Sequence, residues 1–236
     1  MALAAWLGAL VGGARRIDAD GREQFGVVRN ATLTLLALII GFTFSMALSR
    51  YDQRKNDEAA EAKAIGTEYV RADLLPAGEA AKVRALVLAY LDQRIAFYSS
   101  HDEARLREVD KETARLQSEL WSAVRAPANA QPTPVIALAV AGMNDVLSSQ
   151  RHTQAAWLNR IPIGSWGLML AVALCGNALV GLGARFVKSD VIVVLVLPIV
   201  VAIALFLIAD IDSPRGGSIH VNPQNLVSLA RSLRGQ

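Results

Sequence analysis

Charge is missing from three long stretches of this chain, and that absence sets its class. Ala31–Ser49, Ile161–Ala184 and Val191–Ala209 contain no Asp, Glu, Lys or Arg. About 20 helical residues, rising 1.5 Å each, cross a hydrocarbon core of about 30 Å. A helix on a water-soluble protein needs only one apolar stripe, so a stretch uncharged on every face fits lipid or a buried bundle. The three stretches predict an integral membrane protein.

Other absences narrow the function. The one cysteine, Cys175, excludes an intramolecular disulfide and, lying inside the second stretch, reads as a small buried apolar residue. His101, His152 and His220 are far apart in sequence, and there is no HExxH pair, glycine-rich phosphate loop or nucleophile elbow. No catalytic residue set and no cofactor motif is present, so the chain reads as a non-enzyme. Its net charge is only +3, and its arginines are dispersed among acids without interleaved aromatics. Nucleic acid is not an expected partner. No internal repeat or low-complexity tract is evident.

What is present organises around helices. Residues 1–30 form an N-terminal segment whose apolar start, Met1–Gly13, is short for a span. It suits an interfacial or re-entrant piece with Trp6 at headgroup level, although a short span is the alternative. Residues 31–49 form the first transmembrane helix. From Val28 to Ala72 there is no proline, so this helix is expected to run on into water. Arg54 and Glu58 then fall four apart, positioned to pair on its surface, and Ala62, Ile65 and Tyr69 give a packing stripe. Residues 50–160 form a charged helical domain. Helices are expected near Glu79–Ser99, Asp102–Val124 and Val135–Asn159, with Ala126–Pro134 as a loop because it holds three prolines. Residues 161–184 and 191–209 form the remaining transmembrane helices, joined by a tight turn at Arg185–Asp190. Residues 210–236 form a turn and a short helix, capped at Asn222-Pro223. The fold class is all-α: a membrane helical bundle whose long first helix continues into a helical domain outside the membrane.

Orientation is balanced by charge. Arg50, Arg54, Lys55, Arg151, Arg160 and Arg215 lie toward one side, against Arg15, Arg16, Arg22, Arg29, Arg185 and Lys188 on the other, so the positive-inside rule does not decide.

Several motifs carry a resemblance. Gly41-Phe-Thr-Phe-Ser-Met-Ala-Leu-Ser-Arg50-Tyr-Asp-Gln-Arg54, Glu61-Ala-Lys-Ala-Ile65-Gly-Thr67, Arg71-Ala-Asp73-Leu-Leu-Pro76 and Asp210-Ile-Asp212-Ser-Pro214-Arg-Gly-Gly217 resemble the bacterial bestrophin-like domain family over about Gly41–Leu229. The resemblance implies kinship with pentameric chloride channels. It also implies a bacterial inner-membrane location, a multi-pass topology with the central domain cytoplasmic, a homo-oligomer in lipid, and chloride or another small anion as ligand. It transfers no catalytic residue. The reduced first segment leaves three or four spans open.

Candidate sites follow. Asn30, Thr34, Gly41, Ser45 and Ser49 recur near one face of the first span, with Phe42 and Phe44 beside them. Such a stripe lines a pore if several copies surround an axis, the phenylalanines forming an apolar constriction; it equally lets helices pack closely. Gly164, Gly167, Ala171, Asn177 and Gly181 form a small-residue path suited to packing on the third span. Asn177 itself is either functional or bonded to a neighbouring backbone. Asp210 and Asp212 are weak metal candidates, two carboxylates being few for calcium, and equally a structural turn. An oligomeric anion channel is the leading reading; a non-conducting scaffold or sensor, binding a partner through its cytoplasmic helices, is the alternative.

Overall fold

The computed structural model describes residues 1–12, 19–187 and 191–235. Eight α-helices follow one another among them: α1 (Ala2–Gly12), α2 (Ala19–Arg71), α3 (Ala77–Ser99), α4 (Glu103–Ala130), α5 (Pro134–Leu158), α6 (Ile163–Val187), α7 (Val191–Asp212) and α8 (Gln224–Arg234). A 3-10 turn, Ala72–Leu74, follows α2. No strand occurs among the described residues. Helices within Asp20–Leu74, Pro134–Ala184 and Val194–Asp212 are long and apolar enough to cross a membrane. Arg15, Arg16 and Lys188, which entered the charge balance, lie outside the described residues; of the expected Arg185–Asp190 turn, the first three residues belong to α6, which ends at Val187, and the last three lie outside the described residues.

The chain divides into two compact units, Met1–Ser49 with Arg160–Ser213, and Arg50–Asn159 with Pro214–Gln236. The first is the apolar one. Its small core holds Leu36, Ala173 and Val201, while Leu38, Leu168, Ile199, Ile203 and Phe206 face outward. A single chain that turns leucines and phenylalanines outward from every helix is built for an apolar surround.

The second unit packs α3, α4, α5 and α8 around the later half of α2. Ile65, Val83, Val87, Leu91, Leu116, Leu120, Met143, Val146 and Leu226 fill its centre. Asp102 opens α4 by accepting from the backbone N–H groups of Ala104 and Arg105, and Thr133 does the same for α5 at Ile136. The expected loop at Ala126–Pro134 begins late: α4 carries Pro127 inside it and ends at Ala130. One proline removes one donor, and the well-buried neighbours Leu120, Ala123 and Val124 hold the final turns in place. The charged face of α4 is solvated, with pairs Arg105–Glu108 at 2.7 Å and Arg107–Glu103 at 3.9 Å.

Arg54 and Glu58 are not on the surface. Both are 1% exposed, part of a buried row at steps of four and three: Arg54, Glu58, Glu61, Ile65, Glu68. Burial of an ion needs partners, and α2 finds them on other helices. Glu61 takes the guanidinium of Arg94, the hydroxyl of Tyr98 at 3.2 Å and the hydroxyl of Thr153 at 3.2 Å, which joins α2 to α3 and α5. Burial opposes the Arg94 cation, but the Glu61 carboxylate outweighs it and holds the guanidinium above its ordinary pKa. Burial, followed by the Glu61 charge, pushes the Tyr98 phenol up. Glu58 accepts from Asn225 Nδ2 at 2.6 Å and from the Leu226 backbone N–H at 3.0 Å. It thereby caps α8, whose own cap position, Pro223, offers no side-chain acceptor. The Asn222-Pro223 cap expected from sequence is thus replaced by an acid of α2 at the positive end of the helix.

Arg94→Ala should leave Glu61 buried without its cation, at a cost on the order of 3–5 kcal/mol. Urea unfolding of the detergent-solubilised chain should show this loss, and a milder one for Glu61→Gln combined with Arg94→Met.

Candidate functional site

In the apolar unit, α2 has two unlike faces. Leu36, Thr43 and Ala47 are buried within the unit, and Leu33 and Leu36 meet α6 at Gly176. About half a turn away, at 3.6 residues per turn, lie Asn30, Thr34, Gly41, Ser45 and Ser49, all exposed. Phe42 is 70% exposed and Phe44 39%. No described atom comes within 4 Å of a methyl placed on Gly41. The stripe therefore packs against nothing among the described residues of one chain. Its polar groups are partly served by their own helix: the Thr34 hydroxyl donates to the Asn30 carbonyl at 2.9 Å, and Asn30 Oδ1 accepts from Arg29 at 3.4 Å.

The small-residue path on α6 divides. Gly164, Gly167 and Ala171 are exposed, and the two glycines have no described atom near a placed methyl. Asn177 and Gly181 are buried, and Gly181 meets α1 rather than α7. A methyl on Gly181 would overlap the Ala5 carbonyl, and one on Gly8 would overlap the Ala178 carbonyl. Two glycines facing opposite backbones let α1 and α6 touch along their main chains. Sequence reading missed Gly8 because it lies in a segment too short to read as a packing helix. Asn177 Nδ2 donates to the Ala173 carbonyl at 2.7 Å and reaches Met1 Sδ at 3.5 Å. Cys175 is exposed on α6, not buried as expected, beside Leu7, Gly8 and Ala178 in a shallow apolar hollow.

Asp210 and Asp212 are 9% and 6% exposed. Both carboxylate oxygens of Asp212 accept the Ile161 backbone N–H at 3.1 Å, fastening the end of α7 to the entrance of α6. That is a structural use of the acid. No group of three His, Cys, Asp or Glu side chains that could hold a metal occurs among the described residues.

In the helical unit, Arg215 donates to the Phe97 and Ser100 carbonyls, each at 2.9 Å, closing the C-terminal end of α3. Its guanidinium lies 4.5 Å from the Phe97 ring centre and 4.3 Å from that of Trp157. Burial lowers its pKa from the usual arginine value. Two histidines far apart in sequence meet here: the His101 and His220 rings are 5.6 Å apart and perpendicular. Both are exposed, as is His152, which stands apart from them in sequence on α5. No local pattern could have paired them.

Fold and site together define a multi-span helical membrane protein with a polar stripe facing out of the single chain. A sequence model of the bestrophin-like domain matches residues 1–226: the chain belongs to the bestrophin-like domain family. No curated protein matches it. Among solved structures it is similar to a bacterial bestrophin homolog from Klebsiella pneumoniae carrying a point substitution. That likeness has 14% identity and a TM-score of 0.71, covering 99% of this chain and 98% of that one. A second structure of a homolog from the same organism, phased on zinc, gives 14% identity and a TM-score of 0.67 with 98% of each chain covered. At such identities the likeness establishes the fold.

Asp212→Ala should strand the buried Ile161 N–H and lower stability by about 1–3 kcal/mol. Asp212→Asn, which keeps one acceptor, should lose less in the same melting experiment.

Proposed function

We propose that the protein is an ion channel of the bacterial inner membrane, built from several copies whose α2 stripes surround a common axis. Five copies follow the family resemblance, with the helical unit in the cytoplasm and α1 lying against α6 as a short membrane segment. The observation that carries the reading is the exposed row Asn30, Thr34, Gly41, Ser45 and Ser49 on a helix otherwise fitted to apolar surroundings. Small polar residues exposed from an uncharged helix need either water or a second copy of the chain, and a ring of copies around water supplies both.

A small anion, chloride for preference, is the conducted species. Between Asn30 and Ser49 there is no acid to attract cations, and aromatic rings present positive edges to an anion. Phe42 narrows the path and sets a dewetting barrier.

A second reading has its own observation. The helical unit has an open apolar hollow of about 700 Å³ between α4 and α5, lined by Trp121, Pro132, Ala137 and Val140. A scaffold or sensor would seat a partner there.

Purified oligomers reconstituted in liposomes should pass chloride, and Phe42→Ala should raise the flux several-fold. Intact oligomers without flux, or a strict monomer in detergent, would count against the channel and leave the scaffold.

A further inference from the structure

Among the described residues, Glu68 is the acid of the buried row on α2 that finds no hydrogen-bond partner. It is 0% exposed, and neither carboxylate oxygen has a hydrogen-bond partner among the described residues. Its neighbours explain how it fits. Across from it α5 presents Gly142, and a methyl there would overlap Glu68 Oε2 and lie 2.7 Å from Arg71 Nη1. Gly142 thus makes the room that the acid occupies. Arg71, one turn along α2, is drawn instead toward Asp145 of α5, at 3.9 Å, and both of those side chains reach solvent. Of the adjoining elements, Asp73 of the 3-10 turn pairs with Arg84 of α3. Leu229 of α8 packs at Gly66, about half a turn around α2 from Glu68.

We propose that Glu68 is a proton-binding site between α2 and α5, occupied by a proton in the folded protein at neutral pH, whose release loosens the contact of these two helices. The argument is physical. A carboxylate sealed from water without a donor is far more costly than the neutral acid, and an anion beside Asp145 is repelled as well. Only Arg71 favours the charge, and it is shared. Burial is the largest influence, opposed by Arg71 and helped by Asp145, and together they push the Glu68 pKa from 4.5 up to about 8. At pH 7 the neutral acid then outnumbers the anion by about ten to one.

The direction of the pH effect follows from proton uptake. The unfolded chain releases this proton near pH 4.5, whereas the folded chain keeps it to about pH 8. Between those values the folded state binds the extra proton, so stability falls as pH rises through the window and levels off above it. The same window lets the acid respond to ordinary cellular pH changes. These consequences do not require that the protein conduct.

The full-length protein in detergent should lose melting temperature steadily from about pH 5 to about pH 8, whereas Glu68→Gln, isosteric and always neutral, should be flat over that range and more stable than the parent above it. Equal slopes in the two proteins overturn the proposal. Two solvent-reaching variants test it without altering the buried residue. Asp145→Asn should move the midpoint of the fall to lower pH, and Arg71→Gln to higher pH. An absence of movement, or movement in the reversed directions, overturns it. Infrared spectra at pH 7 should also show the carbonyl band of a protonated carboxylic acid that Glu68→Gln lacks; its presence in both proteins overturns it.

Discussion

The structure depends on one constraint imposed along a single helix. The 53 residues of α2 contain an uncharged segment and then a buried row that includes the ionic side chains Arg54, Glu58 and Glu61. Buried ions are tolerated only where other elements bring the opposite charge or hydrogen-bond donors. Much of the helical unit consists of that supply. Arg94 and Tyr98 come from α3, Thr153 from α5, and the amide end of α8 meets Glu58. The pairing also fixes register, because a guanidinium that satisfies Glu61 does so from one rotation of α3 only.

Around that polar row the aromatic residues form a second layer. Phe97, Tyr98 and Trp157 meet edge to face, with centroids 5.1 to 5.6 Å apart. Arg94 and Arg215 both lie against Phe97. Arg215 binds the end of α3 through two carbonyls, so the segment that follows α7 is fastened by a cation that also stacks. The motif Asp210-Ile-Asp212-Ser-Pro214-Arg therefore has two structural uses within four residues: Asp212 holds the entrance of α6 and Arg215 the end of α3. Both acid and base are committed to backbone groups.

The class of the protein, its helical content and its family were legible because they rest on patterns local to the chain, namely uncharged length, helical spacing and short motifs. What was not legible depends on distance in space. The pair Arg54 and Glu58 read as a surface couple because four-residue spacing says that two side chains are neighbours but not which way they face. The spacing 54, 58, 61, 65, 68 held the signal, since a heptad-like row that mixes Ile65 with acids predicts burial of all of them. The cap on α8 was missed because its acceptor lies on α2, and His101 and His220 because no sequence window contains both. The stripe at Thr34, Gly41 and Ser45 was found by periodicity, yet periodicity leaves its partner open. Among the described residues of one chain that face has none, and the account assigns it to water on an axis shared by copies.

Accessibility of that face to water is the most direct test. Single cysteines at Thr34, Gly41 and Ser45, with Cys175→Ser to remove the native thiol and with Leu36 and Met46, which point away from the stripe, as controls, can be probed in liposomes with a charged, membrane-impermeant thiol reagent. The account predicts modification at the three stripe positions and none at Leu36 or Met46. Stripe positions as unreactive as the controls would place that face in lipid or in a dry helix contact, and would contradict the account.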